Sequence, residues 1–278
     1  KLKMEEEEQV EPSPVARSTS AKFSRRMSMR TESAMSRLTD FDGWAFPVTN
    51  VIIDYPKAGA KVQVEPELGL FVDVVYSQDG QFVEKLVPRK AAAFNDCSIR
   101  QLDGSEKLSE KKNWGWGSKG ISVHAFKVDS LSRGTFIDRL VLCSFVKRDG
   151  QIHEYSHPCP VKNYLLFYEE LLNWIIEQLN KQGHMSKWEN INKMLAASDR
   201  PSSMWIACGA GEYTEWGEKN FLQPFDEAVV ILYDSADPIF AKGPSQAVIE
   251  DLFEDKMPTS GLVALHQTFL KDMFERPS

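Results

Sequence analysis

Val64-Glu65-Pro66-Glu67-Leu68, joined further along by Asn95-Asp96-Cys97-Ser98 and by a lysine, Lys119, set close to glycines, is the stretch from which the fold can be read. Residues i and i+2 of an extended strand project to one face, so Glu65 and Glu67 converge while Pro66 points away. Proline is accepted at a strand start or an edge. A second segment bringing Asp96 alongside completes an all-oxygen anionic cluster, which suits Mg²⁺, Ca²⁺ or Mn²⁺ better than Zn²⁺. The expectation is a three-carboxylate cation site made of Glu65, Glu67 and Asp96.

Around that stretch, the 278 residues and their 42% hydrophobic content suffice for a substantial core. The net charge of −7 argues against a nucleic-acid binder, whose surface would carry concentrated basic charge. A small anionic substrate then needs local positive charge, such as a metal. No window approaches the ~20 consecutive apolar residues of a membrane span, and no secretory hydrophobic stretch opens the chain. The reading is cytoplasmic, with no membrane partner. Cys97, Cys143, Cys159 and Cys208 lie far apart without zinc-ligand spacing, which reads as reduced thiols.

Composition divides the chain into three parts. Residues 1–40 hold an acidic run, Glu5 to Glu8, then a Ser/Arg-rich stretch that buries little and reads as a flexible tail. Arg25-Arg26 before Ser28 resembles a basophilic kinase site. The chain does not open with Met, which reads as processing or excision from something longer. Residues 41–235 form the main domain. Its β-rich runs are Val51 to Ile53, Leu68 to Tyr76, Phe82 to Val87, Ile121 to Val128 and Leu140 to Val146. Asp79-Gly80 and Asp149-Gly150 mark hairpin turns. A helix is predicted over Asn163 to Asn180, with Gly183 as its stop, and a strand over Ala228 to Tyr233. Residues 236–278 read as a helical extension, with helices at Ser245 to Phe253 and Ser260 to Phe274. The class is α+β.

Glu65-Pro66-Glu67-Leu68-Gly69-Leu70 and Phe94-Asn95-Asp96-Cys97-Ser98-Ile99-Arg100-Gln101 resemble two successive motifs of the fumarylacetoacetate hydrolase superfamily, Glu-x-Glu-Leu and Asn-Asp-x-Ser-x-Arg. Lys119, in Trp116-Gly117-Ser118-Lys119-Gly120, resembles its third element. Ala207-Cys208-Gly209-Ala210-Gly211, then Gly217, then Phe225-Asp226-Glu227-Ala228-Val229 is similar to its glycine-containing loop and the Gly-Asp-x-Val strand after it. The resemblance spans roughly residues 48 to 234. It looks nearest a divergent bacterial-type branch with a Glu-Lys-Lys-Asn-Trp-Gly run, here Glu110 to Gly115.

That resemblance implies a fumarylacetoacetate-hydrolase-like mixed β-sandwich roll with packed helices, usually a homodimer. It implies Mg²⁺ or Mn²⁺ held by Glu65, Glu67 and Asp96, and a small 2-oxoacid or β-dicarbonyl substrate. The reaction would be C–C hydrolysis, decarboxylation or keto-enol isomerisation. Lys119 would place positive charge beside a developing oxyanion or carboxylate. Arg100 would pair with a metal ligand or bind a substrate carboxylate, the first being favoured. His124, on the strand expected after Lys119, is a further catalytic candidate.

Two departures qualify the resemblance. The family's lid histidine, upstream of Glu-x-Glu, has no counterpart in Met27 to Phe41; the five histidines are His124, His153, His157, His184 and His266. Either another group supplies the base or that chemistry is absent, which leaves a non-catalytic metabolite- or protein-binding member with a regulatory tail as the alternative. The loop's customary threonine is also missing if Ala210 occupies its place, and Thr214 substitutes only if the loop folds differently. Trp114 and Trp116 read as a wall over the substrate or as packing. Gly209-Ala210-Gly211 lacks the third glycine of a dinucleotide loop. The basic and aromatic residues between Lys107 and Lys119 do not outweigh overall acidity as a nucleic-acid signal.

Overall fold

The computed structural model describes residues 21–22, 48–49, 51–56, 60–102, 104, 108–114, 118–183, 188–258 and 260–271. The proposed Ser28 site, the stretch from Met27 to Phe41, Trp116 and His184 lie outside them, as does nearly all of the expected tail. In chain order the strands are β1 (Ala21–Lys22), β2 (Val48–Thr49), β3 (Ile52–Tyr55), β4 (Val62–Gln63), β5 (Pro66–Tyr76), β6 (Val83–Asn95) and β7 (Ser98–Ile99). After the short helix α1 (Leu108–Lys112) come β8 (Lys119–Ile121), β9 (Phe126–Lys127), β10 (Leu140–Arg148) and β11 (Gln151–Pro160). The remaining elements are α2 (Tyr168–Lys181), α3 (Ile191–Ala197), β12 (Ser203–Ala210), α4 (Glu215–Lys219), β13 (Glu227–Asp234), α5 (Gln246–Phe253) and β14 (Leu262–Lys271).

The strands form one sheet in the order β1-β12-β5-β6-β8-β2 with β9 also on β6, a second in the order β11-β10-β13-β14-β3, and the small pair β4-β7. Most pairings are antiparallel, while β14 with β3 and β2 with β8 are parallel. The inward faces of the two large sheets share one core. Leu68, Leu70, Val72, Ala91 and Ala93 from the first meet Leu142, Val230, Leu232, Val263, Leu265 and Phe269 from the second. Buried apolar area of this kind contributes roughly 25 cal/mol per Å², so this layer is the main source of stability. Helix α2 packs its Leu171, Leu172, Ile175 and Leu179 stripe on that core. Helix α5 covers the opposite face of the second sheet through Ile249, Leu252 and Phe253 against Val229, Ile231 and Cys143. The fold is α+β, a sandwich of mixed sheets with few helices.

Several expected boundaries move. The Asp149-Gly150 turn is a two-residue hairpin between β10 and β11, and both residues take positive φ, 51° and 78°, as the primed hairpin turns require. The Phe82 strand runs on to Asn95. Helix α2 begins at Tyr168 rather than Asn163, because Val161–Asn163 forms a 3₁₀ turn first. The helix expected over Ser260 to Phe274 is instead β14, hydrogen-bonded between β13 and β3. Its Val263, Leu265, Gln267 and Phe269 alternate inward with two-residue spacing. The segment after 235 is therefore no purely helical extension.

Candidate metal centre

The β5–β6 hairpin register assembles the cluster. Pro66 pairs with Asn95 and Glu67 with Phe94, and beyond the strand ends β4 and β7 pair Gln63 with Ser98. Glu65 thus faces Asp96, and the Asp96 amide donates to the Glu65 carbonyl at 2.9 Å. The Asn95 side chain fixes that junction: its Oδ1 accepts from the Glu65 amide at 3.1 Å, while its Nδ2 donates to buried Gln267 at 3.0 Å. Pro66 sits at the first position of β5, where its missing N–H costs least. Strand β8 then lies beside β6, with Gly120 opposite Asn95, which delivers Lys119 to Asp96.

One carboxylate oxygen from each of Glu65, Glu67 and Asp96 lies within 4.8 Å of the others, and all three residues are buried. Lys119 and Asp96 are wholly inaccessible, with Nζ 2.6 Å from Oδ1 and a further bond from Nζ to the Cys97 carbonyl at 3.0 Å. Arg100 Nη1 lies 2.7 Å from Glu65 Oε1, to which Ser98 Oγ also donates at 2.8 Å. Gln63 accepts from Arg100 Nε and donates to the Gly217 carbonyl at 2.9 Å, and Tyr213 accepts from Arg100 Nη2 at 3.1 Å. Arg100 therefore pairs with an expected metal ligand and orients it. Such buried charge is tolerable only with partners of opposite sign and hydrogen bonds at its remaining oxygens.

Lys112, on α1, was not among the residues expected here. Its buried ammonium bonds Glu65 Oε2 and sits 2.7 Å from Asp96 Oδ2. Three cationic side chains consequently face three carboxylates. The sequence did contain a signal, since Lys112 belongs to the Glu110 to Gly115 run, yet nothing in its spacing separates a buried lysine from a helix-surface one. Burial lowers the affinity of both lysines for protons. Lys112 contacts two carboxylates and feels Glu67 as well, so it is held above the ordinary lysine value. Lys119 contacts one carboxylate and feels the Lys112 charge, so it stays below that value. For Glu65, burial pushes upward, but Lys112 and then Arg100 reverse it, and its carboxyl ends below the usual range. Burial raises the Cys97 thiol, which is consequently a poor nucleophile.

The other candidates fall elsewhere. His124 is exposed on the connection between β8 and β9, and its carbonyl accepts from Ser122. Thr214 caps α4, accepting from the Gly217 amide at 3.1 Å and donating to the Glu154 carbonyl at 2.7 Å. Trp114 donates to the Asp54 carbonyl at 2.9 Å and packs on the core. Among the described residues, no helix is long and apolar enough to cross a membrane.

The donor set fits a hard divalent ion: three buried carboxylates, no soft ligand, and second-oxygen partners that orient two of them. Residues 40–269 match a family described as "Family of unknown function (DUF5718)". No curated protein matches the chain. Solved structures similar to it include Cg1458, at 15% identity and TM-score 0.43, with 81% of this chain and 66% of that one covered. Another is a 5-carboxymethyl-2-hydroxymuconate delta-isomerase from Mycobacterium smegmatis, at 14%, TM-score 0.39, and 82% and 66%. A third is a maleylpyruvate hydrolase from Sphingobium sp. SYK-6 in complex with manganese (II) ion and pyruvate, at 13%, TM-score 0.40, and 81% and 60%. The chain spans less than two thirds of the length of each.

Proposed function

This chain belongs to the family of unknown function DUF5718, and from that premise we propose that it is a divalent-metal-dependent enzyme of the fumarylacetoacetate hydrolase type. Its substrate would be a small 2-oxoacid or β-dicarbonyl compound, and its reaction C–C hydrolysis, decarboxylation or keto-enol isomerisation. The observation that carries the reading is the convergence of buried Glu65, Glu67 and Asp96 within 4.8 Å, on the motifs that resemble that superfamily. A bound Mg²⁺ or Mn²⁺ supplies Lewis-acid polarisation of two substrate oxygens, worth several kcal/mol as negative charge develops.

The chain's own residues prepare for that chemistry. Glu65, Glu67 and Asp96 hold the ion. Ser98 and Arg100 engage Oε1 of Glu65, while Oε2 receives the Lys112 ammonium, and Gln63 fixes Arg100 in turn. Lys119 anchors Asp96 and adds a positive charge that is itself without solvent access, where charge acts strongly. A homodimer in the cytoplasm with no nucleic-acid partner completes the proposal.

A non-catalytic metabolite- or protein-binding member is the second reading, and the balance of three cationic side chains against three carboxylates favours it. The test is turnover of oxaloacetate, acylpyruvates and fumarylpyruvate with Mg²⁺ or Mn²⁺ added. Metal-dependent turnover of one of them, lost in Glu67→Gln, supports the enzyme. No turnover across the panel, with Mn²⁺ bound, supports the binding module.

A further inference from the structure

The four oxygens of Glu65 and Asp96 are shared out unevenly. Arg100 and Ser98 take Oε1 of Glu65, and Lys119 takes Oδ1 of Asp96. The two remaining oxygens, Oε2 of Glu65 and Oδ2 of Asp96, go to one group, the Lys112 ammonium. Lys112 is the residue that bridges the two carboxylates, and bridging them is also what a divalent ion at this site has to do.

We propose that Lys112 is a tethered cation occupying the metal position, so that the ammonium and a divalent ion exclude one another and metal loading requires α1 to release Lys112. This rests on the metal-site reading above and adds to it a built-in competitor. An ion held by Glu65 and Asp96 needs an oxygen of each at about 2.0–2.2 Å, the span of Mg²⁺ and Mn²⁺ sites. Oε2 of Glu65 and Oδ2 of Asp96 both lie within hydrogen-bond distance of Nζ, so an ion bound to that pair of oxygens would overlap the ammonium. Two unscreened positive charges at that separation also repel strongly in a buried site. Displacement instead of Lys119 is disfavoured by connectivity. Lys119 is fixed inside β8, paired on one side with β6 and on the other with β2, and it also bonds the Cys97 carbonyl.

Lys112 has a looser tether. It closes α1, a five-residue helix, and a helix that short holds itself together weakly. Ser109 of the same helix donates to Glu189 at 2.8 Å, a contact made to a side chain outside the carboxylate cluster. With Lys112 withdrawn, the three carboxylates lose one of their neutralising charges, and a dication more than replaces it. Metal occupancy and the position of α1 are thereby two ends of one equilibrium. The apparent affinity for metal is reduced by the fraction of molecules in which Lys112 is seated.

The test is calorimetric titration of Mn²⁺ alone into the full chain and into Lys112→Gln, with Lys111→Gln as a control that removes one positive charge from the same helix without touching the bridge. Hydrogen exchange of the wild type with and without saturating Mn²⁺ accompanies it. The expected result is Mn²⁺ binding about ten-fold or more tighter in Lys112→Gln, a change under about two-fold in Lys111→Gln, and faster exchange across residues 108–114 of the Mn²⁺-loaded wild type. Equal affinities in all three proteins, with exchange in that segment unchanged, overturn the competitor and leave the metal site standing. Absence of Mn²⁺ binding to a folded Lys112→Gln overturns the metal site itself, and the competitor with it. If Lys112→Gln does not fold, the wild-type exchange measurement decides: unchanged protection of residues 108–114 on Mn²⁺ binding overturns the proposal.

Discussion

Lys119 Nζ lies 2.6 Å from Asp96 Oδ1, and neither side chain has any contact with solvent. Removing one member of a buried pair costs about 3–5 kcal/mol where the other charge is left uncompensated; Lys112 still faces Asp96 at 2.7 Å, which places the loss of Lys119 at the low end, about 3 kcal/mol. Lys119→Met is therefore expected to lower stability to unfolding by about that amount. Lys119→Met/Asp96→Asn should lose less than the sum of the single variants. Urea denaturation of the three proteins checks this, and strict additivity would show that the pair is not coupled.

Acid stability follows from the lowered Glu65 carboxyl. A group whose folded value lies below its unfolded value of about 4.5 contributes stability that is complete above that pH and is lost as pH falls through the folded value. In Lys112→Gln the chief charge opposing burial is gone, so the folded value rises. The acid-unfolding midpoint of Lys112→Gln should move to higher pH than that of the wild type, read by circular dichroism between about pH 6 and 2. A midpoint unchanged or lower contradicts the assignment.

Gly217 is a second-layer support. A Cβ there would overlap the Tyr155 carbonyl, backbone that has no room to retreat. Gly217→Ala should cost about 1–3 kcal/mol, as overpacking does. Because the Gly217 carbonyl holds Gln63, which holds Arg100, the same change should also weaken Mn²⁺ binding. An unaltered urea midpoint would remove Gly217 from this chain of support.

Phe225 holds a left-handed backbone conformation that suits glycine. Its φ is +72° while its side chain is 73% exposed. A left-handed conformation costs a non-glycine residue roughly 1–2 kcal/mol, partly offset by the extra unfolded freedom of glycine. Phe225→Gly should accordingly raise stability by about 0.5–1 kcal/mol, with the hydrogen bond from its amide to the Phe269 carbonyl kept. A lower melting temperature would mean that the exposed ring makes contacts worth more than the strain.

The parts of the molecule legible from sequence are those with local chemistry. Glu-x-Glu across the proline start of a strand, Asn95-Asp96 at the end of its partner, and the Asp149-Gly150 turn each encode their own geometry. What failed depended on distant neighbours. Strand β14 reads as a helix because Leu262, Leu265 and Phe269 fall at helical intervals. Its true alternation is hidden by Gln267, a polar residue on the buried face whose partner, Asn95, is remote in sequence. Lys112 was missed for the same reason: a lysine is buried only when two carboxylates from elsewhere await it, and no local pattern announces that. Helix α4, capped at its start by Thr214, and strand β12, which carries Gly209 of the glycine-bearing segment, also take their positions from β11 and β5.

The most direct measurement is an anomalous difference map from crystals of the protein equilibrated with Mn²⁺. One peak is predicted, about 2.2 Å from an oxygen of each of Glu65, Glu67 and Asp96, with the Lys112 ammonium withdrawn from Glu65 and Asp96. A map without that peak, in which Lys112 still bridges the two carboxylates at saturating Mn²⁺, would contradict the account.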